Sequence, residues 1–287
     1  MGSKKKPEAP IDDWSIQFRG SGASPLFTSR KQFTEEDHQE LSELVNRKLA
    51  FEFDPKNNKW LVLDEKRLDV LRNARDSYST LPAGAITYVH ELVNEEVYDY
   101  TSRVYTKAMQ KGHMVEDEVI ELHNHVFFTN YKKCPEDTYL KNKYFTGHPD
   151  VLDDLKTFIM DAKAPWNKKT HPKTEKEAYD SGYEWQDKIY LYLKRCEIGL
   201  SQTSCIVDTR WTTGRIFFGL CDTPQELLDV TYEDLSLHEG MNLLPLGLRA
   251  TWFDVTLTDD DIFFMVSRAK AAQKEAVKYR NELLAKI

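Results

Sequence analysis

The chain has 287 residues, 40% of them hydrophobic, and a formal net charge of −8. This size suits one large domain or two smaller ones, and the apolar content excludes wholesale disorder. No apolar run reaches the roughly 20 residues of a membrane helix, and the polar start is not a secretory signal. We therefore expect a cytoplasmic protein without a membrane partner. The four cysteines form no CxxC pair, so zinc-ribbon spacing is absent and we interpret them as free thiols.

The first third of the chain carries no motif that indicates chemistry. Residues 1–30 are polar, with scattered glycine and proline, and we expect a flexible segment there. A mainly helical extension is predicted over 31–110, with Thr34 as the N-cap of its first helix. A short hairpin is expected within 51–63, where the segments 51–53 and 60–63 flank the letters DPKNNK, and a helix is expected over 64–75.

A helix is predicted after Gly112, because apolar residues recur there at helical spacing: Val115, Val119 and Leu122. Glu116 lies beside this stripe, and Glu118 is an equally charged competitor. His123 and His125 have no further ligand at a zinc-binding spacing. We interpret both histidines as surface or core side chains.

The stretch 144–163, YFTGHPDVLDDLKTFIMDAK, predicts a β-hairpin. Its first arm is 144–152, its turn lies near 153–156, and its second arm is 157–163. Side chains alternate between the two faces of a strand, so Ile159, Asp161 and Lys163 share one face. This hairpin is the part of the chain around which we expect the rest to be organised.

Two carboxylates and a lysine are expected to meet on this hairpin. Asp150 follows Pro149 on the first arm and is predicted to lie across from Asp161. Such a group forms a site for a hard cation with a proton-handling amine, Lys163, beside it. The alternative interpretation keeps Asp150 as a turn residue, and Asp161 with Lys163 as a solvated strand end.

A lysine-rich stretch follows directly and favours contact with phosphate groups, although a solvated loop is the alternative. Its residues are Lys163, Lys168, Lys169, Lys173 and Lys176. The next helix is predicted to begin near 181–182. Gln186 and Tyr190 lie four residues apart on it and therefore share one face.

The C-terminal part predicts strands over 215–220 and 252–257, with a turn at 221–224 that contains Thr223 and Pro224. Thr258 and three aspartates then cap a final helix. Phe264 is expected to pack on the core, whereas Arg268 is expected to stay in water. We expect the strands and helices of the chain to form an α/β fold.

The ordered motifs of residues 112–287 resemble the PD-(D/E)XK nuclease superfamily, in its phage-type branch of lambda-exonuclease-like and RecB-like exonucleases. A GxxxE motif on a helix runs from Gly112 to Glu116. Ten residues separate Pro149-Asp150 from Asp161-Ala162-Lys163, and QxxxY spans Gln186 to Tyr190. The order of these motifs is far more specific than any one of them. The resemblance implies a nuclease core over 111–287, with a central mixed β-sheet flanked by helices as in restriction endonucleases, and an N-terminal helical extension.

The same resemblance implies a role for each matching residue. Glu116, Asp150, Asp161 and the backbone carbonyl of Ala162 would bind Mg²⁺, for which Mn²⁺ substitutes, and Lys163 would orient or deprotonate the attacking water. The resemblance also implies that Gln186 and Tyr190 face the active site and help to position the substrate. Weaker candidates for substrate contact, through phosphates and base stacking, are Trp166, Lys168 and Lys169.

The implied activity is hydrolysis of duplex DNA from its ends, in phage-type recombination or DNA processing. A single-strand annealing protein is the implied partner, and a homo-oligomer remains open. The alternatives are a site-specific or structure-specific endonuclease on the same fold, and an inactive DNA-binding module.

Overall fold

The computed structural model describes residues 14–28, 35–102, 105–180, 182–197, 210–229 and 234–286. The helices are α1 (Glu35–Phe53), α2 (Val62–Asp76), α3 (Ala83–Val97), α4 (Lys107–Phe127), α5 (Glu175–Asp180), α6 (Tyr183–Glu197), α7 (Leu246–Arg249) and α8 (Asp259–Leu284). The strands are β1 (Phe18–Arg19), β2 (Leu140–Lys141), β3 (Phe145–Gly147), β4 (Val151–Asp153), β5 (Phe158–Lys163), β6 (Thr213–Gly219) and β7 (Ala250–Thr256). Short 3-10 turns connect several of these elements.

The central sheet has the order β4-β5-β6-β7. β5 and β6 are parallel, while β4 and β7 pair antiparallel with their neighbours. The alternation along β5 gives each face its own helix: Met160 packs with Val119 of α4, and Ile159 packs in the cluster that contains Ile189 of α6. This arrangement confirms the predicted α/β class with a mixed sheet flanked by helices.

The predicted hairpin is shorter than expected, because its first arm is interrupted. β3 belongs to a separate three-stranded sheet of order β1-β3-β2, and only β4 pairs with β5. The break falls at residues 148–150. Pro149 has no N–H to donate to a strand ladder, and the carbonyl of Asp150 accepts a hydrogen bond from the N–H of Cys134 at 2.7 Å instead. Asp150 therefore lies at the junction of the two sheets.

Residues 14–28 hold ordered structure where a flexible segment was expected. β1 pairs in parallel with β3, and Phe18, Leu26 and Phe27 are buried in the main core. These apolar side chains are scattered among polar residues, so they form no periodic pattern in the sequence. The predicted domain boundaries at residues 30 and 110 stay a prediction.

Helices α1 to α3 and α8 enclose the main core, and α2 confirms the helix expected over 64–75. The hairpin expected within 51–63 is wrong, since α1 continues to Phe53 and α2 begins at Val62. Asn58 closes the end of α1, because its side-chain amide donates to the carbonyls of Ala50 and Asp54 at 3.1 and 2.9 Å. The predicted N-cap Thr34 lies outside the described residues.

The final helix begins as predicted, with the hydroxyl of Thr258 accepting from the N–H of Asp261 and the Asp261 carboxylate accepting from the N–H of Thr258. Phe264 is buried, as expected. The expectation for Arg268 is wrong: it is only 3% exposed, and its guanidinium lies 5.1 Å from the ring of Phe264. None of the helices in the described ranges has both the length and the apolar character needed to cross a membrane.

Candidate active site

Asp150, Asp161 and Lys163 come together where β4 and β5 meet the start of the next loop. The Lys163 amine lies 2.6 Å from Oδ2 of Asp161. Asp150 accepts a hydrogen bond from the N–H of Ala162 through its Oδ2, at 2.7 Å. The two-residue period of β5 places Asp161 and Lys163 on one face, and the pairing of Val151 with Met160 places Asp150 beside them.

Burial and like charge dominate the electrostatics of these groups. Burial raises the pKa of Asp150 well above its ordinary value, and the negative charges of Asp161 and Glu116 raise it further. Burial lowers the pKa of Lys163, but Asp161 and Asp150 more than offset this and raise it overall. The site therefore gathers more carboxylates than ammonium groups and holds Lys163 protonated.

Glu116 lies on the flank of α4 that faces this group. Its side chain is 13% exposed and pairs with the Lys133 amine at 3.2 Å, and its charge acts on Asp150. Glu118 lies on another flank, where its carboxylate is 3.6 Å from the Arg249 guanidinium. The two competing glutamates thus point in different directions, and Glu116 is the one directed towards Asp150.

Gln186 and Tyr190 join the site from α6. The Gln186 amide donates to Oδ1 of Asp161 at 3.1 Å and to the Tyr190 hydroxyl at 2.8 Å. Tyr190 has room because two glycines lie against its ring: a Cβ on Gly147 would lie 2.4 Å, and one on Gly20 3.0 Å, from Cε1 of Tyr190. In this structure the predicted pair therefore holds Asp161 in position.

The remaining candidates for DNA contact lie in the loop after β5. The ring of Trp166 packs edge-on against His238 at 5.0 Å. The Lys168 amine donates to the carbonyls of Ser236 and Glu239 at 2.6 and 2.8 Å, so it ties this loop to the segment 236–239. Lys169 is exposed. A contact between these side chains and DNA stays a prediction.

Lys111 supports the loop after β5, although no role was predicted for it. The side chain is fully buried, and its amine donates to the carbonyls of Pro165 and Trp166 at 2.8 and 3.1 Å. Burial lowers its pKa to about 8. The signal was its spacing, since Lys111 stands four residues before Val115, on the buried stripe of α4.

Asp187, the residue after Gln186, was also missed. It is fully buried, and neither carboxylate oxygen has a hydrogen-bond partner among the described residues. Its Oδ2 lies over Gly214 of β6, where a Cβ would be 3.3 Å away. Burial raises the pKa of Asp187 well above its ordinary value, and the charge of Asp161 raises it further. Its spacing of four residues from Tyr183 and Leu191, on the inner face of α6, was the available signal.

The donor chemistry of the site fits a hard divalent cation. Asp150 and Asp161 offer carboxylate oxygens, which Mg²⁺ and Mn²⁺ prefer, and a cation between them would relieve the repulsion that raises the pKa of Asp150. Within the described ranges no three His, Cys, Asp or Glu side chains are already arranged around one point as metal ligands. His123 is buried among aromatic rings, and burial lowers its pKa to about 4. Of the two interpretations in the sequence analysis, a surface or a core histidine, the core histidine is therefore the one that applies.

Comparison with solved structures places this arrangement on a known fold. A phage-related exonuclease from Haemophilus somnus 129PT superposes with a TM-score of 0.65 over 95% of this chain and 97% of that one, at 20% identity. The two chains share one fold. An alkaline exonuclease from Laribacter hongkongensis covers 74% of this chain and 90% of its own, at 17% identity and a TM-score of 0.46. No protein-family model and no curated protein sequence matches the chain.

Proposed function

We propose that the protein is a metal-dependent DNA exonuclease that hydrolyses phosphodiester bonds from duplex ends. The observation that carries the proposal is the convergence of Asp150, Asp161 and Lys163 at one end of β5. A protein described as a phage-related exonuclease has the same overall fold. Motif order and three-dimensional geometry thus favour the same activity.

Asp150, Asp161, Glu116 and the carbonyl of Ala162 would hold Mg²⁺, with Mn²⁺ as a substitute. When bound, the ion would supply a water of lowered pKa and would offset negative charge on the phosphate. Gln186 fixes the orientation of Asp161 through the bond to Oδ1. The second oxygen, Oδ2, would bind the ion in competition with the Lys163 amine, which lies 2.6 Å from it.

Lys163 acts as a cation in this proposal. Its pKa is raised by Asp161 and Asp150 despite burial, so its ammonium is suited to orient a water molecule and to stabilise charge that develops on the phosphate oxygens. The rigid strand β5 holds it on the same face as Asp161, which limits the motion needed before reaction.

In this proposal, the protein contacts the phosphates of the DNA backbone and stacks on bases. Lys169 and Trp166 would contact phosphates and bases near the end of a strand, whereas Lys168 supports the loop from which they project. Contacts of this kind carry no sequence information. They suit an enzyme that works from DNA ends. Its place would be phage-type recombination, beside a single-strand annealing protein, in the cytoplasm of a bacterial or phage-infected cell.

The test compares linear duplex DNA with covalently closed circles, each with Mg²⁺ or with EDTA. We expect loss of the linear DNA with release of nucleotides, no discrete bands, resistance of the circles, and no reaction in EDTA. Higher salt is expected to weaken binding, because phosphate contacts release counterions. Discrete fragments from a closed plasmid would favour an endonuclease. Binding without cleavage across several divalent metals would favour an inactive module.

A further inference from the structure

Asp187 is a buried carboxyl group that the proposed mechanism does not use. It is fully buried between α6 and the central sheet, and its two oxygens have no hydrogen-bond partner in the described part of the chain. Buried polar groups are normally paired, because an unpaired one costs about 1–3 kcal/mol and a charged one more. An arrangement that lowers stability in this way is typical of functional sites.

The cation next to Asp187 on α6 is engaged elsewhere. Lys188 pairs with Glu184 at 2.5 Å and with Asp261 at 3.1 Å. Arg215, the residue after Gly214, lies on the opposite face of the sheet over the Phe127 ring and pairs with Asp254 at 2.7 Å. Neither Lys188 nor Arg215 therefore serves to neutralise Asp187.

The charges that do act on Asp187 belong to the candidate active site. They are the carboxylates of Asp161 and Asp150 and the ammonium of Lys163. Gly214 makes the position possible, since a Cβ there would lie 3.3 Å from Oδ2 of Asp187. Gly214 pairs with Ile159, which shares one face of β5 with Asp161 and Lys163. The Lys163 amine lies 4.9 Å from the ring of Tyr183, one helical turn before Asp187 on α6. Asp187 therefore lies on the face of the sheet that carries the site.

In this structure, the Lys163 ammonium occupies the Asp161 oxygen that a metal ion would also need. Its amine lies 2.6 Å from Oδ2 of Asp161, while Oδ1 of Asp161 accepts from Gln186. A divalent cation on Asp161 would compete with this ammonium and repel it. Lys163 would then need another anion, and Glu116 already pairs with Lys133 at 3.2 Å.

We propose that Asp187 is a positioning residue of the active site, which holds the Lys163 ammonium once Asp161 binds the divalent cation. This inference rests on the proposed function. Asp187 touches neither metal nor DNA and acts only through Lys163. The contrasting interpretation is a neutral carboxyl of the core with no part in the reaction, and the two interpretations predict different responses to substitution.

The first measurement compares Asp187→Asn with Asp180→Asn, a control that removes an exposed carboxylate of α5. Asparagine keeps the shape of the buried side chain and removes its capacity to carry a negative charge. Turnover should fall by about 10–100-fold, as is usual when the partner of a site residue is removed, with KM for DNA nearly unchanged. The control should match the wild type in each respect. Unchanged turnover in a folded Asp187→Asn protein overturns the proposal, whatever its melting temperature.

The second measurement asks whether Asp187 acts through Lys163, with Mn²⁺ affinity from calorimetry as the readout. Asp187→Asn should weaken Mn²⁺ binding by about 10-fold in the wild type, because Lys163 then stays on Asp161 and competes with the ion. In a Lys163→Gln background the same substitution should have a clearly smaller effect. Equal effects in both backgrounds overturn the proposal.

This cycle needs no cleavage, so it separates the two proposals. A wild-type protein that binds Mn²⁺ and degrades no DNA refutes the nuclease, while the cycle still decides the role of Asp187. If Asp187→Asn does not fold, Asp187→Ser takes its place, because a serine hydroxyl can bond to the carbonyl four residues earlier in the helix.

Discussion

Lys111 gives the fold a pH dependence that can be measured directly. Burial lowers the pKa of its amine from 10.5 to about 8. Between these two values the unfolded chain binds a proton that the folded chain has released. The free energy of unfolding therefore rises with pH across this window, and the destabilising effect of the buried charge is fully present below about pH 8.

The magnitude follows from the two pKa values. A lowering from 10.5 to about 8 corresponds to at most roughly 3 kcal/mol against the charged amine. Integrated between about pH 7.5 and 9.5, linkage gives a gain of about 2 kcal/mol in the free energy of unfolding. Lys111→Met removes the titrating group and should remove this gain. Met leaves the carbonyl of Pro165 without its donor, which costs about 1–3 kcal/mol, so the two proteins should have similar stability at pH 7.5.

Urea unfolding of wild type and Lys111→Met at both pH values measures the difference by linear extrapolation. Lys274→Met, which removes an exposed lysine of α8, serves as the control and should follow the wild type. Other titrating groups contribute equally to all three proteins. Parallel pH dependences for wild type and Lys111→Met would refute the assigned burial of this charge.

Three further predictions concern the proposed metal site. Asp150→Ala and Asp161→Asn should each abolish DNA cleavage and weaken Mn²⁺ binding in calorimetry, since each removes an anionic ligand. The far-ultraviolet circular dichroism should stay native. Full activity in either variant would show that the wrong residues were chosen. Lys163→Ala should reduce single-turnover rates by about 10²–10⁴-fold with metal binding largely retained, whereas a collapse of metal affinity would give it a structural role. Glu116→Gln should impair cleavage strongly and Glu118→Gln little, because only Glu116 acts on Asp150; the reverse ranking in the same nuclease assay would exclude Glu116 as a ligand.

Local patterns in the sequence predicted the elements that carry the site. The apolar stripe of α4, the two-residue alternation of β5 and the four-residue spacing of Gln186 and Tyr190 all depend on neighbours in the chain. Each is confirmed as secondary structure. The proximity of Asp161 to Lys163 follows from alternation alone, which is why it was predictable.

Features that depend on distant parts of the chain were not predictable in this way. Lys111, Asp187 and Arg268 are buried charges, and their residue types predict exposure even though their spacing falls on buried stripes. Lys111 is buried because it donates to carbonyls more than fifty residues away. Phe51 and Phe53 have high strand propensity, yet they form the last turn of α1, whose end the Asn58 side chain closes from beyond the helix.

The close approach of Tyr190 to Gly20 and Gly147 makes the site depend on the N-terminal segment, both in a truncated protein and during synthesis. The ring is enclosed by backbone from the start of the chain and from its middle, and Tyr190 in turn contacts Gln186. A shortened protein that begins after residue 28 would keep every motif residue and lose one wall around Tyr190. During synthesis, this enclosure is incomplete until at least 190 residues have emerged, and the pairing of Phe18 with Phe145 closes a very long loop, a step that is intrinsically slow. A nascent chain shorter than this would therefore carry Asp150, Asp161 and Lys163 without a finished site.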